Sequence, residues 1–546
     1  MFCTRCTGTQ ACKSADDSSS TLRVTSSAAF HHVVNFVMEN MPAILRALLQ
    51  DGAAKGSAKQ RHGFKPETMP RWKKVEPLVR SWLSSGHHLL TQLQDADISA
   101  YVLRSLAPAA PFAAPFPRRV KHLLRAALSR FGEGQPTVRV AALTLIRALA
   151  SSTSSDGLDA CLRGAYRTFA ANAKFGGGGG GAAGGQLEHV AFMASAVSEL
   201  VSIDTGAAYP VAFSAIRQLA LLLRNALSAR SQDALKAVLC WQTVHCLELW
   251  GRVLSSHASQ AKDPLRPLVY PLMQVVTGAA RLVPTARYAP LRLRLLALLQ
   301  RLGAATSMYI PVATQAVDVM LFTEVSKPPL ARASAGGSGS NYASLLRVPK
   351  TELKSPNFQS YVIDSGLDIL TEALGQWAYH PTFPELAHLP VRELRRLAKQ
   401  MHTPALRRAT LSVAEAAAKN ADWVARRREA ATFAPKDCGP GSPALAAFMA
   451  EAQAAGAPLA AIVASRRAAA RQRAAALYAT DVRVGEGGAP AGRANQVEAA
   501  SVPREAKKRK AAEQKRPRAD AKSLHLDAGD GDDSGEDAVA ELSLSE

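Results

Sequence analysis

The sequence is short of the features that mark secreted, membrane-embedded or redox-active proteins. Only 7 of its 546 residues are cysteine, and these are scattered. It has no charged start followed by an apolar segment, and no uninterrupted apolar run reaches the roughly 20 residues that span a bilayer. We therefore expect a protein of a reducing compartment that does not bind a membrane.

Catalytic and cofactor motifs are also missing. Cys3 and Cys6 have the spacing of half a zinc site, but no second pair follows to complete four ligands. The glycine run at 176–181 lacks the Lys and the Ser or Thr that a phosphate-binding loop needs after it. We expect no enzymatic activity, no metal, no cofactor and no small-molecule substrate.

The histidines offer no better metal site. His87 and His88 are adjacent, so on a helix they point to different sides and make a poor chelate. Trp241, His245 and Cys246 lie at helical spacing. They predict one face of a helical core, and not a stacking or metal site.

Runs of Val and Ile that alternate with helices, which are typical of catalytic α/β folds, are not found either. Apolar residues instead recur at the spacing of one helix face, and 235–254 is apolar around more than half of its circumference. We predict an all-α fold, an α-solenoid of HEAT/armadillo-like helical repeats with disordered termini. The clearest periodic series are Ile216/Leu219/Ala220/Leu223/Leu227, Leu291/Leu295/Leu298/Leu302 and Val391/Leu394/Leu397/Met401.

Changes in composition divide the chain into five parts. Residues 1–25 are rich in Ser, Thr and Asp and predict a disordered leader, and 26–70 predict a short helix and a linker. The helical-repeat domain follows at 71–430. Residues 431–480 predict a linker and a basic helix, and 481–546 predict a disordered tail with a basic segment and an acidic end.

Within these parts, two glycine-rich insertions and one basic helix stand out. The insertions at 176–185 and 331–342 predict flexible surface loops. The stretch 444–478 is rich in Ala and Arg and predicts a single exposed helix. Its basic residues include Arg466, Arg467, Arg471 and Arg473.

The formal net charge of +22 predicts a polyanionic partner. RNA, DNA and acidic protein segments all satisfy this requirement, because counterion release does not depend on sequence. Segment 504–518 predicts a two-part nuclear import signal that importin binds. In the alternative interpretation it is a solvated tail that contacts RNA nonspecifically, and both functions are compatible. The basic residues concerned are Lys507, Lys508, Arg509, Lys510, Lys515, Arg516 and Arg518.

The segment 279–296 combines prolines with arginines. Pro284 and Pro290 predict a helix start, since the missing N–H of proline costs nothing in a first turn, and Thr285 is a candidate cap. The arginines predict a basic cluster that holds a phosphate or a partner carboxylate, with Arg292, Arg294 and Arg301 facing away from the inward leucines. Alternatively, they hydrogen-bond helix-end carbonyls within the fold. The candidate residues are Arg281, Pro284, Thr285, Arg287, Tyr288, Pro290 and Arg292.

This segment, AARLVPTARYAPLRLRLL, resembles the Arg-Leu-(Ile/Val)-Pro-Thr-Ala-Arg-Tyr-x-Pro-Leu-Arg motif of the nucleolar complex protein 2 family. Upstream, 209–227 (YPVAFSAIRQLALLLRNAL) and 240–257 (CWQTVHCLELWGRVLSSH) are similar to two further blocks of the family in the same order. Phe383 to Leu386 is similar to its Phe-Pro-Glu-Leu segment. The resemblance covers 70–430, about two thirds of the chain, and is weaker at Ser355 and Pro356, where the family carries Thr-Arg.

The resemblance implies a non-enzymatic assembly factor for the large ribosomal subunit. Such a factor pairs with other nucleolar complex proteins as a heterodimer and accompanies pre-ribosomal particles from the nucleolus to the nucleoplasm, with direct or indirect contact to ribosomal RNA. Two other functions remain open: a chromatin-associated transcriptional co-regulator that binds histones, and a helical-repeat nuclear transport receptor.

Overall fold

The computed structural model describes residues 26–50, 65–174, 183–329, 341–431, 433–434 and 442–486. Across these ranges every regular element is a helix, which confirms the predicted all-α class. The predicted leader and the predicted import signal lie outside the described residues. Residues up to Asp481 form one compact unit, and a second unit begins at Val482.

The described residues contain twenty α-helices, several of them joined by short 3-10 turns. The first ten are α1 (Ser27–Gln50), α2 (Trp72–Gln92), α3 (Ala96–Leu106), α4 (Ala110–Ala113), α5 (Pro117–Glu133), α6 (Pro136–Ser152), α7 (Ser155–Asn172), α8 (Ala183–Val201), α9 (Thr205–Ala229) and α10 (Gln232–Val238). The others are α11 (Trp241–His257), α12 (Val269–Arg281), α13 (Ala289–Thr306), α14 (Val312–Met320), α15 (Thr323–Ser326), α16 (Pro356–Gln376), α17 (Phe383–Gln400), α18 (Pro404–Glu429), α19 (Pro443–Ala455) and α20 (Pro458–Glu486).

Each helix packs mainly on helices that are close to it in the chain. α5 packs on α6 and α7, α13 packs on α11, α12, α14 and α16, and α17 forms a hairpin with α18. The apolar faces of these helices join in one continuous core. The largest side chains fully inside it include Phe112, Phe131, Phe169, Trp250, Phe358 and Phe383.

Local sequence signals explain where many helices begin. Asp204 Oδ1 accepts hydrogen bonds from Gly206 N at 2.8 Å and Ala207 N at 3.0 Å, and so caps the start of α9. Asp95, Ser231, Ser355 and Ser442 cap other helices in the same way. Proline occupies the first turn of α5, α6, α13, α16, α17, α18 and α19, where it displaces no helical hydrogen bond.

In α13, more side chains are buried than the predicted apolar face contains. Leu291, Leu295, Leu298 and Leu302 are buried as expected, but leucines on the opposite side and the side chain of Arg292 are buried too. The prediction that Arg292 faces away from the core is therefore wrong. α13 packs against α11, α12, α14 and α16, so its buried surface is wider than one face, and only the side that carries Arg294 and Arg301 is not buried.

The predicted single helix at 235–254 is divided in two. Leu239 and Cys240 leave helical geometry between α10 and α11, and Cys240 is extended with φ −108° and ψ 161°. The hydroxyl of Thr243 donates to the carbonyl of Ala237 at 2.8 Å, which satisfies a backbone group that the break leaves free.

Two other predicted boundaries move. The predicted loop 176–185 ends early, because α8 begins at Ala183. The predicted single basic helix is two helices, α19 and α20, separated by Gly456 with φ +76° and by the proline that begins α20. A positive φ favours glycine, so this residue marks the break.

α9 is long and apolar enough to span a bilayer by length and composition alone. It carries Arg217 and Arg224, and it packs on α7, α10 and α12. A core helix of a helical protein passes the same test of composition.

Candidate interaction surfaces

The segment 279–296 forms the corner between α12 and α13. A 3-10 turn at Ala286–Tyr288 leads into α13, which has Pro290 in its first turn, so the predicted helix start is confirmed. The predicted cap at Thr285 is wrong: its side chain makes no capping hydrogen bond, and its backbone carbonyl accepts from Tyr288 N at 3.1 Å. Pro284 and Thr285 are exposed, and Tyr288 is half-buried.

Arg287 joins this corner to a distant part of the chain. Its Nε donates to the carbonyl of Val348 at 3.2 Å, and the N–H of Val348 donates to the carbonyl of Arg287 at 2.8 Å. Val348 is fully buried. The structural interpretation of the arginines predicts contacts with helix-end carbonyls, whereas Arg287 contacts the carbonyl of a buried residue outside a helix.

Arg292 lies inside the corner and Arg281 lies outside it. The guanidinium of Arg292 is 5.3 Å from the centroid of the Phe322 ring, and Arg292 is 6% exposed. Burial lowers the pKa of Arg292, and the like charge of the exposed Arg281 lowers it further, against the opposing effect of Asp318. Arg281 is thus near enough to Arg292 for their like charges to repel, while Arg287 is hydrogen-bonded to Val348.

The predicted core face of α11 carries an ion pair that the sequence did not reveal. His245 and Cys246 are buried, and the ring of Trp241 stacks on His245 at 5.2 Å. Arg294 of α13 lies 5.0 Å from the centroid of Trp241 and donates to Glu248 at 2.7 and 3.1 Å. This group ties α11 to α13, so its charges serve the fold.

Three of the four arginines predicted for the exposed basic helix form ion pairs with α16, whereas Arg471 of α20 is exposed and unpaired within the described residues. Arg466 lies 3.3 Å from Asp364 and 2.9 Å from Asp368 of α16. Arg473 lies 2.5 Å from Asp368, and Arg467 forms an ion pair with Glu372 of the same helix. These acids neutralise most of the positive charge of α20, which reduces its value for binding an external anion.

Positive charge without such acids lies at the start of the chain, between α2 and α5. The rings of His87 and His122 are 5.4 Å apart, and Arg119 Nη1 donates to Ser84 Oγ at 3.2 Å. Burial lowers the pKa of His87, and the charges of His122, Arg119, His88 and Arg125 lower it further. A single sequence cannot place these residues together, because the pairing of α2 with α5 is tertiary.

A second basic surface lies at the closed end of the α17–α18 hairpin. Lys399 lies in the last turn of α17, and Arg407 and Arg408 lie near the start of α18, so the short connection at 401–403 places them at one end. All three are exposed. Earlier in α17, Arg392 and Arg396 share Glu393 at 3.1 and 3.6 Å.

α1 exposes apolar side chains on the side opposite to the core. Met38, Leu45 and Leu49 are buried, whereas the outer side chains are between 38% and 60% exposed. Apolar side chains grouped on one exposed side of a helix are a candidate interaction surface. The outer residues are Val33, Phe36, Ile44 and Leu48.

The described residues contain no group of three or more His, Cys, Asp or Glu side chains that could hold a metal ion. Two thiols within them are deeply buried. Burial raises the pKa of Cys161 and of Cys246 to about 12, which keeps both protonated and unreactive at neutral pH.

Comparison with known proteins shows the family of the chain that carries these surfaces. The family model described as the Noc2p family matches residues 156–466, more than half of the chain and most of the helical body. The chain belongs to the Noc2p family. The matched region contains the α12–α13 corner, the Glu248–Arg294 pair and the contacts of Arg466 with α16. It begins after the α2–α5 surface and ends before Arg467 and Arg473.

Curated Noc2p relatives extend the similarity beyond the matched region. The chain is 34% identical over 479 residues to "Nucleolar complex-associated protein 2" of Arabidopsis thaliana, covering 88% of this chain and 60% of the relative. It is 28% identical to "Nucleolar complex protein 2" of Drosophila melanogaster, covering 76% and 52%, and 27% identical to "Protein REBELOTE" of Arabidopsis thaliana, covering 76% and 67%. The chain thus spans between half and two thirds of the length of these relatives.

Proposed function

We propose that this Noc2p-family chain is a non-enzymatic assembly factor for the large ribosomal subunit. It would act in the nucleolus and nucleoplasm, and aid the maturation and movement of pre-ribosomal particles between them. Family membership carries this proposal, together with the nucleolar names of the Arabidopsis and Drosophila relatives.

The distribution of charge supports binding to an RNA-rich particle. Residues 487–546 contain 10 Lys and Arg against 12 Asp and Glu, so the net charge of +22 comes from the residues before them. Most of those residues belong to the helical body. A positively charged body provides the sequence-independent part of binding to phosphate.

We further propose that the helices form an α-solenoid of HEAT/armadillo-like repeats. The supporting observation is that each helix packs mainly on near neighbours in the chain, as stacked helical pairs do. Such a scaffold positions other molecules and needs no catalytic residue.

The proposed protein partner is another nucleolar complex protein, bound as a heterodimer. The exposed apolar side chains of α1 suit such an interface, since they form a surface with few charged groups. Nuclear entry would use importin bound to the basic segment 504–518, which lies outside the described residues.

Affinity purification of the tagged full chain from nuclear extract tests the proposal. Bound proteins are identified by mass spectrometry and bound RNA by sequencing, at moderate salt and with or without ribonuclease. We expect large-subunit precursor RNA and nucleolar complex proteins, with the latter retained after ribonuclease treatment. Recovery of histones or of the import GTPase without precursor RNA would overturn the proposal in favour of a chromatin or transport function.

A further inference from the structure

The surface between α2 and α5 concentrates five basic side chains, which we call the α2–α5 cluster: His87, His88, Arg119, His122 and Arg125. The two helices pack directly on each other. His87 is half-buried at their junction, 5.4 Å from the ring of His122, and it lies within electrostatic reach of the other three.

Carboxylates do not balance this charge. The charged groups that lower the pKa of His87 are His88 of α2 and Arg119, His122 and Arg125 of α5, and each of them is a base. Among the acids on the helices packed nearby, Glu76 of α2 forms an ion pair with Arg80 at 2.8 Å, and Glu39 of α1 accepts from Tyr101 at 3.0 Å. Asp97 lies in the first turn of α3, and Glu133 is the last residue of α5, at the end opposite to Arg119. Glu67 lies in the 3-10 turn before α2, and neither α4 nor α6 contains an acid.

The position of the cluster on α5 increases its need for an anion. α5 begins at Pro117 and has no acidic residue in its first turn. Arg118 and Arg119 lie there instead, next to the positive end of the helix dipole, where cations are unfavourable. A bound anion would relieve both the dipole and the repulsion among the side chains.

We propose that the α2–α5 cluster binds the phosphate groups of an RNA backbone, and that this binding strengthens as the pH falls. The choice of RNA rests on the proposed function, which places the chain on an RNA-rich particle. Guanidinium forks suit phosphate oxygens, and protonated imidazoles add donors and charge. An anion favours the charged imidazole, so binding takes up protons and weakens as the pH rises through the histidine range.

Other basic side chains of the described residues are poorer candidates. Arg466, Arg467 and Arg473 are neutralised by acids of α16, and Arg294 is neutralised by Glu248. Arg287 donates to a buried backbone carbonyl. The α17–α18 hairpin is exposed and basic, so it provides a matched comparison.

The test measures binding of the purified full chain to a fluorescent oligouridylate of about 30 nucleotides by fluorescence anisotropy, near pH 6 and near pH 7.5 at constant ionic strength. For the unmodified chain we expect affinity about fivefold higher near pH 6. The variant His87→Asn with His122→Asn should reduce this pH ratio toward one and change affinity little near pH 7.5.

A second variant tests the arginines. Arg119→Gln with Arg125→Gln should weaken binding about tenfold at both pH values and reduce the slope of log affinity against log salt by about 1.4, since each contact to single-stranded RNA contributes about 0.7. The matched control, Arg395→Gln with Arg407→Gln, removes the same charge from the hairpin and should preserve the pH ratio. Circular dichroism checks that each variant is folded.

Three outcomes would overturn the inference. These are an unchanged pH ratio in the histidine variant, an unchanged salt slope in the arginine variant, or displacement of RNA by equimolar polyglutamate, which would indicate an acidic protein partner. The binding assay uses only the purified chain and an oligonucleotide, without a pre-ribosomal particle. It therefore tests RNA binding by the α2–α5 cluster separately from the proposed function in ribosome assembly. Binding through the cluster by a chain that purifies without precursor RNA would contradict the proposed function alone.

Discussion

Arg294 of α13 and Glu248 of α11 form a two-point ion pair, with Nε donating to Oε1 at 2.7 Å and Nη2 donating to Oε2 at 3.1 Å. Burial favours the neutral acid, but hydrogen bonds from His245 and Arg294 and the charge of Arg294 outweigh it. They lower the pKa of Glu248 from 4.5 to about 2. The pair therefore stabilises the fold above the unfolded pKa, and this stabilisation is lost as the pH falls from 4.5 toward 2.

Glu248→Gln should lower the free energy of unfolding by about 2 kcal/mol at neutral pH, because Arg294 is left with a weaker partner in a largely buried site. The difference between the two proteins should shrink near pH 3. Urea unfolding at both pH values measures it. The control Glu199→Gln breaks an exposed pair with Arg147 and should cost less than about 1 kcal/mol. An equal difference at both pH values would contradict the assignment.

Arg466→Gln should loosen α20 from α16. The substitution removes contacts with Asp364 and Asp368 and leaves the half-buried carboxylates without this partner. Hydrogen exchange of α20 amides should accelerate about tenfold, with little change in α5 to α7. Arg471→Gln is the matched control, because Arg471 is exposed and forms no ion pair within the described residues. Equal acceleration in both variants would argue against docking through Arg466.

Asp204→Ala should destabilise the chain by about 1 kcal/mol, since it removes the acceptor for two N–H groups at the start of α9. Asp204→Asn keeps an acceptor and should be close to neutral. Thermal unfolding of the three proteins at one pH separates loss of the cap from loss of charge. Equal destabilisation by both substitutions would show that charge, and not capping, matters there.

Trp250→Ala should cost about 3 to 5 kcal/mol, because the side chain is fully buried and its ring lies 5.3 Å from that of Tyr166. Tyr270→Ala is the comparison for an aromatic side chain outside the core, at 61% exposure, and should change stability by less than about 0.5 kcal/mol. Denaturant midpoints measured by circular dichroism give both values. Similar losses would mean that α11 is not a core helix.

Helical class and much of the core were predictable from the sequence, since the spacing of Leu291, Leu295 and Leu298 reports a buried face directly. The spacing of apolar residues, however, describes the buried face of a single helix and not the helices that pack around it. It could not show that α13 packs against four other helices, which buries Arg292, or that α10 and α11 are separate.

The charged residues of a chain can likewise be read from its sequence, but the partners that neutralise them cannot. The arginines of α20 looked available because their partners on α16 lie about one hundred residues earlier, for example 102 residues between Arg466 and Asp364. The reverse holds for His87 and His122, which are unremarkable in sequence and meet only when α2 packs on α5. Pairings of this kind depend on tertiary structure.

The ion pairs between α16 and α20 join two parts of the chain that are translated at different times. Asp364 and Asp368 are translated about a hundred residues before Arg466 and Arg473. Until then, the nascent α16 carries uncompensated carboxylates, and the groove that receives Leu459 beside Asn420 stays open to water. The contacts between α16 and α20 therefore form only after α20 has left the ribosome, whereas the helices before α16 are free to pack earlier.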